Sequence, residues 1–465
     1  MKMRLITFIA ALLIASNIGH AQQDQECMLN LTLLSDYYKS KKLDEAYEPW
    51  KKLRTDCPPK FNRAIYQYGE KILDHKIEKA SGAEKIAFID EYMSLLDDAN
   101  VNFEKYYPLG EIYEKKGVMM YDNQELLDKS DMDVYNTFDQ AYTKDQENFT
   151  STKGLYVYFT KTVDLFKAGE FDLQKVFDKY DDISEQLERL NEDFTEKVNV
   201  YVKKEEDGQK LTTKEAKYKK YYFAKIEAND KISGSLDSYL GQLADCDNLI
   251  PLYEKQFEEK KNDAQWLKRA VSRMYNKDCI DAPLYVTLVK AYDASSPSAD
   301  TKYFLATILF KQGKNTEAEG YLKESYDLTT DKLKKAKLAK RIANNFKKRG
   351  SYGTARNYYR EALKLNPSDG TPYIYIASMY AKSANNCGDT NFNKRAVFWY
   401  AAQEARKAGQ VDPNLRSTAS KTAASYEANA PTTAEIFQEG NQGETIKIGC
   451  WIGGSVKVPT IGGKK

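Results

Sequence analysis

Six cysteines, two histidines and 68 acidic side chains are the groups of this 465-residue chain that could do chemistry. Thiol catalysis, metal-assisted hydrolysis and paired-carboxylate acid–base catalysis would each use some of them. His20 falls in an N-terminal segment read below as a removable leader, which leaves His75, set between Ile72 and Ile77 in a helical run. One histidine supplies neither a histidine-rich metal site nor a serine–histidine dyad, so it reads as an ordinary helix residue. The segment GCWIGGS at 449–455 lacks the lysine and the following helix of a phosphate loop. The acidic run at 178–182 lacks the glycine and the ligand spacing of a calcium loop. Two remote carboxylates could meet as a glycosidase pair, but nothing singles out which two. The expectation is a chain with no catalytic, cofactor-binding or metal-ligating residues, and not an enzyme.

The cysteines carry a different message. Lys2 and Arg4, the apolar run Leu5–Ile14 and the small residues Gly19 and Ala21 read as a secretory signal over 1–21, with the mature chain starting at Gln22. The apolar run is too short to span a bilayer. Cys27 follows Glu26 rather than the small residues that precede a lipidated cysteine. Removal of Lys2 and Arg4 leaves a mature chain with no net charge, which excludes a histone-like polycation. An exported chain meets oxidising conditions, so disulfides are expected. Fifteen pairings are formally open. Cys27 and Cys57 lie 30 residues apart and Cys246 and Cys279 lie 33 apart, each pair bracketing about one helical hairpin. Cys387 and Cys450 then remain to tie a loop to the C-terminal tail. Buried free thiols are the alternative.

The elements that must position these residues show a period. Numbering Ala336 as 1 over Ala336–Pro367, Ala343 falls at 8, Phe346 at 11, Gly350 at 15, Ala355 at 20, Tyr359 at 24, Ala362 at 27 and Pro367 at 32. Small residues at 8, 20 and 27 let two helices approach, larger ones fill between them, and glycine and proline punctuate the ends. This resembles the tetratricopeptide repeat. In Ala299–Thr330, Ala306, Leu309, Gly313, Ala318 and Leu322 take the same places. In Cys27–Pro58, Tyr37, Ala46, Trp50 and Pro58 do so, with Lys41 where the glycine belongs. A further unit opens with Ala377 and Tyr380 and resumes at Ala401, Ala405, Ala408 and Pro413, which puts about twelve extra residues, Cys387 among them, in its turn. Residues 247–279 read as a weaker helical pair.

The middle departs from the pattern. Residues 61–98 and 132–168 each read as two helices, and 172–204 with 212–244 as two long charged helices broken at Asp207-Gly208. The long pair reads either as a projecting antiparallel hairpin or as two ordinary repeats with long second helices. After Pro431 the character changes: Ile446, Ile448, Cys450 and Ile452 alternate, Gly453-Gly454 follow, then Val456 and Val458, a two-strand hairpin signal. The fold class expected is all-α, a solenoid of tetratricopeptide-like hairpins with a small C-terminal β-hairpin. Its divisions are a signal at 1–21, N-terminal helices at 22–98, a divergent helical region at 99–245, a C-terminal array at 246–430 and a tail at 431–465.

Four segments carry a wider resemblance: the opening CMLNLTLLSDYYKSKKLDEAYEPWKKLRTDCP, LGEIYEKKG at 109–117, the NNCGDTNFNKRAVFWYAAQEA block and the GCWIGG tail. Together they resemble exported tetratricopeptide proteins of Bacteroidetes-type Gram-negative bacteria. The resemblance implies an interaction role in the periplasm or envelope and no particular biochemical activity.

Charge is unevenly placed. Residues 87–148 hold 15 acids and 5 bases, and residues 331–364 hold 12 bases and 2 acids. Such blocks in a neutral chain suggest opposite-sign surfaces for partners or for self-association, or else solvated helix faces. The repeat resemblance implies that positions 2, 5, 9, 12 and 13 of each first helix line a groove. These are Lys337, Lys340, Asn344, Lys347 and Lys348 in the basic unit, Tyr303, Thr307 and Lys311 before it, and Thr371, Ser378 and Lys382 after it. Lys340 and Asn344 match the carboxylate clamp of chaperone-binding relatives, but Tyr375 stands where that clamp needs a second asparagine. Amines and amide donors at these positions would pair with an acidic peptide. The 35 tyrosines mostly fall at inward repeat positions and read as core.

The function expected is a non-enzymatic periplasmic or envelope scaffold that binds protein or peptide partners through this groove, without cofactor, nucleic acid or membrane-spanning segment. The alternative is a glycan-handling protein like the helical starch-utilisation binding lipoproteins. The absence of a lipidation motif and of an aromatic platform argues against it.

Overall fold

Two helices joined by three or four residues can pack side by side only if the chain reverses within one turn. That reversal needs a residue in left-handed backbone at the end of the first helix. The computed structural model describes residues 24–241 and 243–461, so the signal expected at 1–21 lies outside the described residues. Within the described chain the reversal recurs. Gly313 (φ 74°) and Gly350 (φ 77°) supply it in the two clearest repeats. Lys314 N–H then donates to Leu309 O and Ser351 N–H to Phe346 O, the long closing bond of the motif. Lys41 takes the same conformation (φ 59°), with Lys42 N–H donating to Tyr37 O. The expected glycine position is therefore kept as a geometry although the residue type is lost.

The chain forms two compact units, with the boundary between Ile183 and Ser184. The first begins with α1 (24–39) and α2 (Leu43–Asp56). It continues through α3 (Ala64–Lys79), α4 (Gly82–Phe103), α5 (Leu109–Asp122), α6 (Asp131–Asp145) and α7 (Thr152–Lys167). Trp50 is fully buried among Leu34, Ala46, Leu53, Ile65 and Ile72, and its indole N–H donates to Ile65 O at 2.8 Å. Gly69 lets α3 reach that ring, since a Cβ there would meet Trp50 Nε1 at 2.4 Å. The segment LGEIYEKKG is the packing face of α5. Gly110 lies against the carbonyl of Asp145, Gly117 against the ring of Phe138, and Glu114 is buried. One carboxylate oxygen of Glu114 accepts from the backbone N–H groups of Thr150 and Ser151, each at 2.7 Å, and so holds the entry to α7. His75 is a surface residue of α3. It joins Lys76 and Lys79 around Asp44, whose carboxyl these three hold well below the ordinary range.

The second unit opens with the greater part of α8 (Leu173–Glu206), which folds back as α9 (Thr213–Gly241) through a turn at Gly208 (φ 78°). The two are a long antiparallel hairpin, closed by Val198, Val202 and Phe223 along the seam and by Lys204–Glu215 near the tip. Helix pairs follow: α10 (Cys246–Lys260) with α11 (Ala264–Asn276), then α12 (Pro283–Ser295). Next come α13 (Ala299–Lys311) with α14 (Asn315–Leu328) and α15 (Lys332–Lys348) with α16 (Tyr352–Leu365). The array ends in α17 (Thr371–Lys382) with α18 (Asn391–Val411), and α19 (Arg416–Glu427) packed on α18. Ala306, Ala318, Ala343, Ala355, Ala362, Ala377 and Ala401 are buried at the helix contacts with Tyr359 and Tyr380 between them. The fold is thus a tetratricopeptide-like arrangement of α-hairpins ending in a small β-hairpin. No helix among the described residues is long and apolar enough to cross a membrane.

The extra residues of the last repeat are used in two ways. Residues 384–386 form a short 3-10 turn, and the remainder lengthens α18 at its N-terminus, where Thr390 caps Asn393 N–H. After the short α20 (Thr433–Glu439), β1 (Thr445–Ile448) pairs antiparallel with β2 (Gly454–Lys457), Ile446 opposite Val456. The alternating pattern places Cys450 and Ile452 in the first strand, and the structure places both in the connecting turn. Cys450 takes positive φ (53°) there because it is bonded to Cys387, whose carbonyl accepts from Gly449 N–H at 3.1 Å. The NNCGD block and the GCWIGG tail are therefore two halves of one contact. Trp451 donates to Ser383 Oγ at 3.0 Å and lies beside Tyr380, while Arg356 donates to Ile452 O. Cys27 is bonded to Cys57 and Cys246 to Cys279, with Cα separations of 5.8 and 5.5 Å. On a chain-entropy account, loops of 30, 33 and 63 residues contribute roughly 3.5–4.5 kcal/mol each.

Two measurements check this account. Gly350→Ala forces a Cβ into left-handed backbone and should destabilise by about 1–2 kcal/mol, whereas Lys41→Gly should be neutral or stabilising. Chemical denaturation of both variants reads the difference, and equal losses would contradict the role given to these turns. Burial pushes the Glu114 carboxyl up to about 7 against the pull of the Ser151 and Thr150 amides. Its folded value is raised, so the stability it contributes, on the order of 3 kcal/mol, is present below about pH 4.5 and is lost as pH rises through 7. Glu114→Gln keeps the acceptor oxygen and should flatten the stability profile between those pH values.

Candidate partner-binding groove

Helix α15 carries the chemistry because its buried and exposed faces are both regular. Leu338, Ala339, Ile342, Ala343 and Phe346 are buried, which turns Lys337, Arg341, Asn344 and Lys348 outward together. Asp331 caps the helix by accepting from Lys334 N–H. The last turn holds Lys347 and Lys348, the polarity that a helix C-terminus favours.

A cleft of about 340 Å³ opens on this face. Its walls are Tyr275 of α11, Tyr303 of α13, Arg341, Asn344, Asn345, Lys347 and Lys348 of α15, and Tyr375 of α17. Four of the expected groove residues, Tyr303, Asn344, Lys347 and Lys348, are brought together here. Thr307, Lys311, Lys337, Lys340 and Lys382 lie outside the lining.

Their partners explain the difference. Thr307 donates to Phe304 O and faces the Tyr285 hydroxyl. Lys311 pairs with Asp281, and Lys340 with Asp369. Lys337 pairs with Glu188 at 2.6 Å and with Glu192 at 3.2 Å, both on α8. The same stretch of α8 reaches Arg269 of α11 through Glu185 at 3.1 Å, and Asn199 accepts from Ser368 N–H at 3.1 Å. The long hairpin of this unit therefore lies along the repeats and occupies one end of the expected groove. Burial raises the Glu188 carboxyl, but Lys337, with Arg341 and Lys334 beyond, outweighs it and leaves the group below its ordinary value.

The open end has no such neutralisation. Arg341, Lys347, Lys348 and Lys382 make no ion pair among the described residues. Lys347 lies over the Tyr375 ring, 4.1 Å from its centroid, and Arg341 lies 5.6 Å from that of Tyr303. Burial, then the charges of Lys382 and Lys348, push the Lys347 amine down. Tyr303 is buried and shares a hydrogen bond of 2.8 Å with Tyr275, and its hydroxyl is raised by burial. Tyr359 donates to Asn344 Oδ1, which fixes that amide. The arrangement can bind carboxylates or other anions. Its ring faces are covered or buried, so it presents no open platform for a sugar.

The uneven charge seen in the sequence is partly absorbed within each unit. Asp98 pairs with Arg54, Asp122 with Lys153 and Asp131 with Lys161. In the basic segment Lys337, Lys340 and Arg349 are paired as well. Sequence reasoning did not reach Tyr275, Arg341 or Asn345. Arg341 and Asn345 stand at repeat positions 6 and 10, outside the set taken as groove-lining. Tyr275 sits at the end of α11, the second helix of a pair with no clear repeat register. Extending the 337, 341, 344, 348 periodicity of α15 would have found Arg341.

Residues 298–368 match a family model described as the tetratricopeptide repeat. The solved human IFIT1 dimer with m7Gppp-AAAA is 13% identical, over 79% of this chain and 77% of that one, at a TM-score of 0.32. Yeast Tom70 is 11% identical, over 90% and 84%, at 0.24. The P58(IPK) TPR domain is 16% identical, over 69% and 98%, at 0.17. Likeness at this level carries no inference about function. No curated protein sequence matches the chain.

If the neighbouring cations depress Lys347, then replacing Lys348 and Lys382 by glutamine should move its amine back toward the ordinary lysine value. An NMR titration of labelled lysine side chains reads this. An unchanged midpoint would mean that burial alone sets it.

Proposed function

We propose that this protein is a non-enzymatic scaffold of the bacterial envelope, exported through its N-terminal signal, that holds protein or peptide partners at the open end of the α15 groove. One observation supports the partner site most directly. Arg341, Lys347, Lys348 and Lys382 are clustered cations without carboxylate partners among the described residues, in a chain whose other basic groups at this face are paired internally. Like charges held together lower one another's affinity for protons, and an acidic ligand relieves that repulsion. The tetratricopeptide repeats over 298–368 support a protein-interaction scaffold as the class. Three disulfides accord with an oxidising compartment. The four segments that resemble exported Bacteroidetes proteins support the envelope assignment.

The covered tyrosine faces disfavour the glycan-handling alternative. Saturable glycan binding at this cleft would revive it.

The test is cross-linking in the native host, with a photoreactive residue in place of Lys348 and mass spectrometry of the captured proteins. A reproducible envelope protein is expected, with its recovery lowered about tenfold by Arg341→Gln with Lys347→Gln. Capture of no protein above background, or capture indifferent to the two substitutions, would overturn the assignment of the site.

A further inference from the structure

Lys337, Arg341, Asn344 and Lys348 recur at the spacing of one helix face, so they form a straight row of donors about 16 Å long at 1.5 Å per residue. The first member of the row already has a ligand. Glu188 and Glu192 of α8 reach Lys337 at 2.6 and 3.2 Å. Glu185, one turn earlier, reaches Arg269 of α11. These three glutamates stand at i, i+3 and i+7, a single stripe on one helix. Arg341 also acts on Glu188 through its charge, so the row works as one electrostatic unit across its occupied and unoccupied parts. The protein thus contains one worked example of what this face binds: a helix presenting carboxylates along a stripe, bridged by long basic side chains.

From this we infer that the open remainder of the row, Arg341, Asn344 and Lys348 with Lys347 beside it, takes a partner helix bearing carboxylates at i, i+3 or i+4 and i+7. The inference rests on the partner-binding reading above and narrows it. Charge complementarity favours an acidic partner, because the four groups offer three cations and one amide with no acid of their own. Continuity with the α8 contact favours a helix over an extended strand. The cleft lies among α11, α13, α15 and α17, all helices, where no strand edge is available for main-chain pairing among the described residues.

The experiment titrates the full mature chain with three fluorescent peptides of equal length and net charge and follows anisotropy. The first is a stapled helix with glutamates at i, i+3 and i+7. The second is a stapled helix with the same glutamates spread around the axis. The third is the unstapled chain with two prolines. The striped helix is expected to bind in a salt-sensitive way, about tenfold more tightly than either of the others, and to lose about tenfold on Arg341→Gln with Lys348→Gln. Circular dichroism and the melting midpoint of that double variant show that its fold is kept. Equal binding of all three peptides would overturn the inference: the cleft would then read net charge, and the partner site itself would stand. Absence of binding by any peptide, with the cross-link from position 348 still formed in the host, would overturn the acidic-helix chemistry alone. Absence of both would remove the partner site as well.

Discussion

The repeat array of this molecule depends on helices packed closely over buried alanines. Ala306, Ala318, Ala343, Ala355 and Ala362 are buried where paired helices cross. Alanine at such positions removes the side-chain bulk that would hold two helix axes apart, and tyrosine or leucine fills the space left between turns. Close pairing in turn requires an abrupt reversal, which left-handed backbone supplies at Gly313, Gly350 and Lys41. Lys41 shows that the constraint is on backbone geometry. A lysine tolerates it at some cost, and the Cys27–Cys57 bond closes the same hairpin from its other end.

That packing also decides which charges are left over. Regular helices turn one face inward, so basic and acidic residues gather on the outer faces of neighbouring helices, and some find each other. Asp98 with Arg54, Asp131 with Lys161 and Lys340 with Asp369 are examples. Their consequence here is subtraction: they pair Lys337, Lys340 and Arg349 and leave a cluster of cations at the open end of α15. The long α8–α9 hairpin does the same at the other end of that helix, where its glutamates hold Lys337.

The C-terminal hairpin illustrates a different dependence. Two four-residue strands cannot stand alone in water. They persist because the Cys387–Cys450 bond, the Trp451–Ser383 hydrogen bond and the seat of Gly454 on the Tyr400 ring fasten them to α17 and α18. The inserted residues before α18 exist in the structure as the receiving half of that contact.

Local chemistry was readable in the sequence wherever a single turn or face sets it. The alanine, glycine and proline spacing from Ala299 to Pro367 determined the hairpins, because each contact is made by residues a fixed number of positions apart. The two long helices and their break at Gly208 were legible from length and charge. The paired strands were legible from alternation, although their turn was not: the tether from Cys450 to Cys387, 63 residues away in sequence, shifts it. The candidate site was legible only in part. Asn344, Lys347 and Lys348 follow from repeat position, but whether a lysine is free or paired depends on what stands opposite it in space. Glu188 lies 149 residues from Lys337, Tyr275 comes from a helix with no clear register, and Arg341 occupies repeat position 6, outside the positions expected to line the groove. Spacing along one helix determines a face. Only the tertiary structure decided what covers that face, because electrostatic pairing acts through distance in space and is blind to distance along the chain.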